Sequence, residues 1–268
     1  MGVWFSLAAL GYFLAAAGHF LWARDVLKNA RIGKAFLILA FGLHTLELFR
    51  LGQQSGMFPV YNLRNALVFF SWCVVLLYGA LLVRYRFEML SFFTVVLVIV
   101  FILPPMVIPN PDPPTDRPAL RDWVTSVHIG LSLFSYAAFC LASLSACGYL
   151  VEHRRLKQKS PAAMILRLPP LEMLDILQSR LVRFGLAALG LGIVAGFCWA
   201  TREEWSVLAE PKILMTVGVF LLYLGLAFFR HRSILSSRGY SWAVMTGFCA
   251  CLISFLIVNL FFHGQHRF

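Results

Sequence analysis

Eight long runs of apolar residues leave this chain few ways to fold. They lie at about 2–22, 35–50, 63–83, 87–108, 123–150, 182–201, 210–229 and 239–262. Runs of roughly 17–25 such residues match the thickness of a bilayer's hydrocarbon core when helical. Backbone polar groups in lipid must be satisfied internally, so each run is expected to be a helix. Of the 268 residues, 60% are hydrophobic and only 13% charged, about half the charge of a soluble domain. The expected fold class is therefore all-α: one polytopic membrane helical bundle over 1–268, with about eight transmembrane helices.

Charge sets the orientation. The net charge is +11, with 23 Lys and Arg. Sixteen of these, in groups of four, two, seven and three, fall in the loops after spans one, three, five and seven. Basic residues concentrate on cytoplasmic loops, so those loops are inner and both termini are outside. The same distribution accounts for the basic charge without nucleic acid as a partner. The partner it implies is the lipid bilayer, and the expected location is a bacterial inner membrane. No basic residue precedes the first span, while Arg24, Lys28, Arg31 and Lys34 follow it, which argues against a cleaved signal peptide. The six cysteines all lie within spans and read as small apolar packers.

The longest inner loop is expected at about 151–181. Within it, Leu171, Leu174, Ile176, Leu177 and Leu181 form an amphipathic segment expected to lie along the inner interface. The outer segment 109–122 is proline-rich and reads as turns.

This orientation gathers several chemically capable residues at the outer face. His128 lies near the outer end of span five, and His263 and His266 follow span eight. Trp205 sits in the loop between spans six and seven, and Arg64 begins span three. Neutral imidazole offers a lone pair to a metal, so two histidines could ligate haem iron from opposite faces. An indole would pack on the porphyrin, and an arginine would meet a propionate. Lone histidines at a membrane edge are more often interfacial anchors, but Ser132 and Ser135 continue a polar stripe from His128. His44 lies inside span two, with Glu47 and Arg50 following at i+3 and i+6. Ionisable groups within a span are functional candidates, although Glu47 and Arg50 could simply pair. Arg64 could equally anchor a phospholipid.

Four segments, in order, carry a more specific signal. They are Leu43-His44-Thr45-Leu46, then Gly56-x-x-Pro59-x-x-Asn62-Leu63 running on to Phe69 and Trp72. Val127-His128-Ile129-Gly130-Leu131-Ser132 and Val258-Asn259-Leu260-x-x-x-Gly264-x-His266 complete the set. Together they resemble the CcsA/CcmC-like cytochrome c assembly family from about residue 36 to 266. The resemblance implies handling of b-type haem at the outer face, for attachment to apocytochrome c. It implies His128 and His266 as axial ligands and Trp205 beside the porphyrin, with His44 and Arg64 in the cofactor-binding set. Any enzymatic role would be as part of a haem lyase complex, with a membrane partner carrying a large outer domain. The chain departs from the family in having few tryptophans around Trp205, Glu210 in place of aspartate, Asn65 in place of an acidic residue, and Phe228 where some members have histidine, and in these departures it resembles the short HemX/YpjD-like branch. Two rivals are a HemX-like regulator of haem biosynthesis without lyase activity, acting through the inner loops, and a small-solute transporter using His44 and Glu47.

Overall fold

The computed structural model describes residues 2–84, 88–109, 111, 121–158, 168–202 and 211–261. Along the chain, the described residues form α1 (Val3–Ala23), α2 (Arg31–Ser55), α3 (Leu63–Arg84), α4 (Glu88–Ile102), α5 (Pro104–Val107), α6 (Trp123–Gln158), α7 (Leu171–Arg202), α8 (Pro211–His231) and α9 (Ser237–Phe261). There is no strand among the described residues. Seven of the helices are long and apolar enough to cross a membrane, and α9 covers the last apolar run. The protein is a polytopic membrane helical bundle.

Two antiparallel hairpins organise it, and glycine allows both to close tightly. In the α1–α2 pair, a Cβ on Gly11 would come within 2.9 Å of the Ala40 Cβ. One on Gly18 would come within 2.9 Å of the Gly33 backbone. In the α6–α7 pair, Gly185 packs beneath Phe139, Gly192 beneath Ser132 and Gly196 beneath His128. These contacts recur at spacings of seven and four residues on both helices, which keeps them on one face. Small residues permit close backbone approach where lipid supplies no hydrophobic drive.

Helix α6 is the central element. Ala137, Ala138, Phe139, Cys140, Leu141 and Ala142 are successive buried residues, so α6 is covered on all sides there. It packs on α7, α9 and α3. Phe139 stacks on Tyr223 of α8, with ring centroids 3.8 Å apart.

Three segment expectations change. Helix α6 continues to Gln158, so the inner loop is shorter than 151–181. At 1.5 Å per residue, its 36 residues run about 54 Å, well beyond a hydrocarbon core of about 30 Å. The segment 171–181 is not a separate interfacial helix. It forms the first turns of α7, because Leu174 and Leu177 bury against protein instead of headgroups. Leu174 lies in a cluster with Tyr149 and Leu150 of α6. Finally, span four breaks at Leu103, where Pro104 and Pro105 cannot continue the α4 hydrogen-bond ladder and start the short α5.

The Gly56 to Asn62 segment is a cap-to-cap connector. Gly56 ends α2 at φ 62°, and its N–H donates to the Gly52 carbonyl at 3.0 Å. Such a left-handed C-cap favours glycine. Asn62 then caps α3, its side-chain oxygen accepting from the Asn65 N–H at 2.8 Å.

Candidate functional site

His128 projects from the second turn of α6 onto α7. Its ring fills the space over Gly196, where a Cβ would come within 2.7 Å of the imidazole. Its Nδ1 lies 2.7 Å from the Gly192 carbonyl oxygen. A carbonyl can only accept, so Nδ1 carries the hydrogen and, in the neutral ring, Nε2 holds the lone pair. Histidines that bind metals commonly donate their other ring N–H to a carbonyl in this way. His128 is half-buried and retains an approach. A ring so held can offer Nε2 to a metal ion. Ser135, on the same polar stripe, is fully buried and donates to the Ser132 carbonyl at 2.7 Å.

Two residues sequence reasoning missed, Gly192 and Gly196, thus set the orientation of His128. Their signal was available as the repeat of glycine at 185, 192 and 196 in span six.

His44 has a different setting. It is fully buried, and its Nδ1 shares a hydrogen bond with the Tyr12 hydroxyl at 3.1 Å. Phe5 and Tyr12 meet the ring edge-on, with centroids 6.3 and 5.9 Å away. One turn later, Glu47 takes a two-pronged contact from Arg50, with Nε 2.9 Å and Nη2 2.7 Å from its two oxygens. The residue before α1 closes over this pair, since a Cβ on Gly2 would collide with both Glu47 oxygens and with Arg50. Among the described residues, these contacts enclose the His44 ring on the α1 side.

Arg64 is only 3% exposed. Its Nε donates to the Pro105 carbonyl at 2.9 Å and its Nη1 to the Asn65 side chain at 3.3 Å. Its guanidinium also lies over Phe5, 5.4 Å from the ring centroid. Arg64 therefore ties α3 to α5 and α1. The Asn65 side-chain oxygen serves as its hydrogen-bond acceptor.

Phe5 joins His44 and Arg64 into one cluster between α1, α2 and α3. His128 belongs to a second setting between α6 and α7. Among the described residues, no hydrogen bond or ring contact links the two. Trp205, His263 and His266 lie outside the described residues. Phe228 is 52% exposed and points outward near the last turn of α8, at the opposite end of the bundle from His128.

Half-buried aromatic rings line the α2–α3 side. Phe58 meets Phe69 edge-on at 5.1 Å, Phe69 stacks with Trp72 at 5.6 Å, and Trp72 stacks with Phe41 at 5.7 Å. The Trp72 indole N–H is held by Thr45 at 2.9 Å. The residues that carried the Gly56-to-Trp72 pattern thus form a connector, a helix cap and one aromatic ladder.

Comparison with known proteins gives a consistent picture. The family described as "Cytochrome C assembly protein" matches residues 60–266. The chain is 28% identical to "Protein HemX" of Brevibacillus brevis over 252 residues, covering 92% of this chain and 93% of that one. It is 28% identical to "Protein HemX" of Bacillus subtilis (strain 168) over 229 residues, covering 82% and 78%. It is 27% identical to "Cytochrome c biogenesis protein CcsA" of Guillardia theta over 259 residues, covering 88% and 85%.

Proposed function

This chain belongs to the cytochrome c assembly protein family, and from that premise we propose that it binds b-type haem at the outer face of a bacterial inner membrane and presents it to apocytochrome c. Family membership implies involvement with haem. The observation that carries the finer reading is the His128 imidazole, whose Nδ1 is committed to the Gly192 carbonyl and whose Nε2 is left for iron.

His128 and His266 would hold the haem iron through their imidazole nitrogens. Trp205 would cover part of the porphyrin face. Arg64 would serve the site by fixing α3 against α5 and α1 through its contacts with Pro105, Asn65 and Phe5. His44 would support the site from within the bundle by holding α1 against α2, without touching iron. Bound haem would supply a redox-active iron and the macrocycle side chains that become thioether-linked. The chain's own work is to hold the ring in place, and the α6–α7 glycine seam fixes the imidazole that does so. A membrane partner with a large outer domain would bring the apocytochrome.

The test is an absorption spectrum of the purified protein with and without reductant. Two imidazole ligands should give a low-spin spectrum with sharp reduced bands. A protein that purifies without haem and does not take it up would sink the reading.

One observation favours a second reading. The α6 and α7 helices, of 36 and 32 residues, are longer than a hydrocarbon core of about 30 Å requires, which gives a rigid surface beyond the span at their joined end. A regulator of haem biosynthesis, without lyase activity, could act through that surface. Deleting the gene separates the two: loss of covalent haem staining supports assembly, whereas altered haem precursors with normal cytochromes supports regulation.

A further inference from the structure

At the inner end of the bundle, a cleft of about 380 Å³ opens between α7, α8 and α9. Ser179, Arg183, Ala227, Arg230, His231 and Tyr240 line it. Its two arginines differ in how they are held. Arg230 is fixed: it pairs with Asp175, bonds the Ser237 hydroxyl at 3.1 Å and the Leu235 carbonyl at 3.3 Å, and lies over the Tyr240 ring. Asp175 is itself anchored by Ser237 at 2.9 Å and by Gln178 at 2.9 Å. That network joins α7 to the turn between α8 and α9. Arg183 makes no hydrogen bond or ion pair among the described residues, and its side chain is exposed at the cleft.

The charge balance is informative. Asp175 neutralises one guanidinium, which leaves Arg183 uncompensated. The Ser179 and Tyr240 hydroxyls add polar lining. A free cation, the His231 ring and neutral hydroxyls beside an already paired guanidinium suit a tetrahedral oxyanion better than a cation or a flat apolar ligand. Ala227 leads from the polar end toward the apolar part of α8, so acyl chains could continue along the bundle surface. Basic pockets between helices on the cytoplasmic side bind lipid headgroups by this chemistry.

We propose that the Arg183–Arg230 cleft is a phosphate-binding site, which takes its phosphate from an anionic phospholipid headgroup or from free phosphate. It is independent of the haem reading, because it lies at the opposite end of the bundle from His128.

The test uses the full chain, purified in detergent and stripped of lipid. One arm titrates inorganic phosphate against chloride at constant ionic strength and reads thermal stability. The other uses native mass spectrometry to compare phosphatidylglycerol with phosphatidylcholine. Arg183→Gln removes a charged hydrogen-bonding partner and should weaken binding about tenfold. It should leave the fold intact, since Arg183 holds no other element. Arg232→Gln, whose guanidinium lies over Phe228 outside the cleft, should bind like the parent. Saturable phosphate stabilisation that Arg183→Gln loses supports the site with free phosphate as its source. Selective retention of phosphatidylglycerol, lost in the same variant, supports the site with a lipid source. Binding unchanged in Arg183→Gln, equal loss in Arg232→Gln, or preference for neither phosphate nor phosphatidylglycerol overturns it.

Discussion

His44 and His128 each have one ring nitrogen in a hydrogen bond, but their partners differ. His44 meets a tyrosine hydroxyl, which can donate or accept. His128 meets a helix carbonyl, which can only accept. The hydroxyl leaves either tautomer possible, whereas the carbonyl fixes the proton on Nδ1 and bares Nε2. Packing follows the same division. Two aromatic rings and complete burial seal His44, while His128 stays half-open on a glycine face. A histidine inside a span is thus an ambiguous signal by itself. The partner of its second nitrogen and its remaining access decide between brace and ligand.

The largest test of that contrast substitutes each histidine in turn. His128→Ala should lower haem content by at least the roughly 10- to 100-fold that loss of a mere outer-shell partner costs, and added imidazole should restore part of it. His266→Ala should behave alike, with His263→Ala mild. His44→Ala should keep haem near the parental level. Stability should rank the other way. Removing the His44 ring opens a cavity and strands the Tyr12 hydroxyl, costing about 2–4 kcal/mol in detergent unfolding. His128→Ala should cost about 1 kcal/mol, since the Gly192 carbonyl lies beside a partly open site. Equal and complete haem loss in both variants would break the comparison and place the haem within the membrane.

The two glycine seams allow a finer test. At Gly18, a new Cβ would meet the Gly33 backbone at 2.9 Å, and backbone cannot swing away. Gly18→Ala should therefore cost about 1–3 kcal/mol of stability, with the haem spectrum of the remaining folded protein unchanged. At Gly196, a new Cβ would meet the His128 ring at 2.7 Å, and a side chain can rotate. Gly196→Ala should cost less stability but disturb the bond to Gly192, shifting the spectrum toward high spin. A Gly196→Ala protein with parental bands would show that the seam does not orient the imidazole.

The bundle was legible because lipid imposes a length and a composition on every span. The eight apolar runs correspond to α1–α4 and α6–α9, and Pro104–Pro105 marks where α4 stops. The inner ends were less legible. Leu171, Leu174 and Leu177 have the same spacing whether they face lipid headgroups or a protein surface, and it takes the partner helix, with Leu174 packed beside Gly148 of α6, to decide for the second. At the site, spacing placed His44, Glu47 and Arg50 on neighbouring turns and left open whether Glu47 and Arg50 pair, as they do here. It could not reveal that Phe5 of α1 lies between His44 and Arg64, because that contact depends on a partner helix. Likewise, no local pattern joins His128 to a carbonyl 64 residues away.

The smallest expected effect probes the bracing role alone. Tyr12→Phe keeps the aromatic edge against His44 and removes only the hydroxyl bonded to Nδ1. The loss should be about 1 kcal/mol, the usual net worth of one such bond plus a partly unsatisfied nitrogen. Haem content should not change, because Tyr12 braces α1 against α2 and reaches no ligand. The pair can be isolated by combining Tyr12→Phe with His44→Ala. If the two act through their shared bond, the double variant loses less stability than the single losses added together, by about the value of that bond. Additive losses within about 0.3 kcal/mol would mean that the hydrogen bond contributes nothing and that His44 stabilises the hairpin by volume alone.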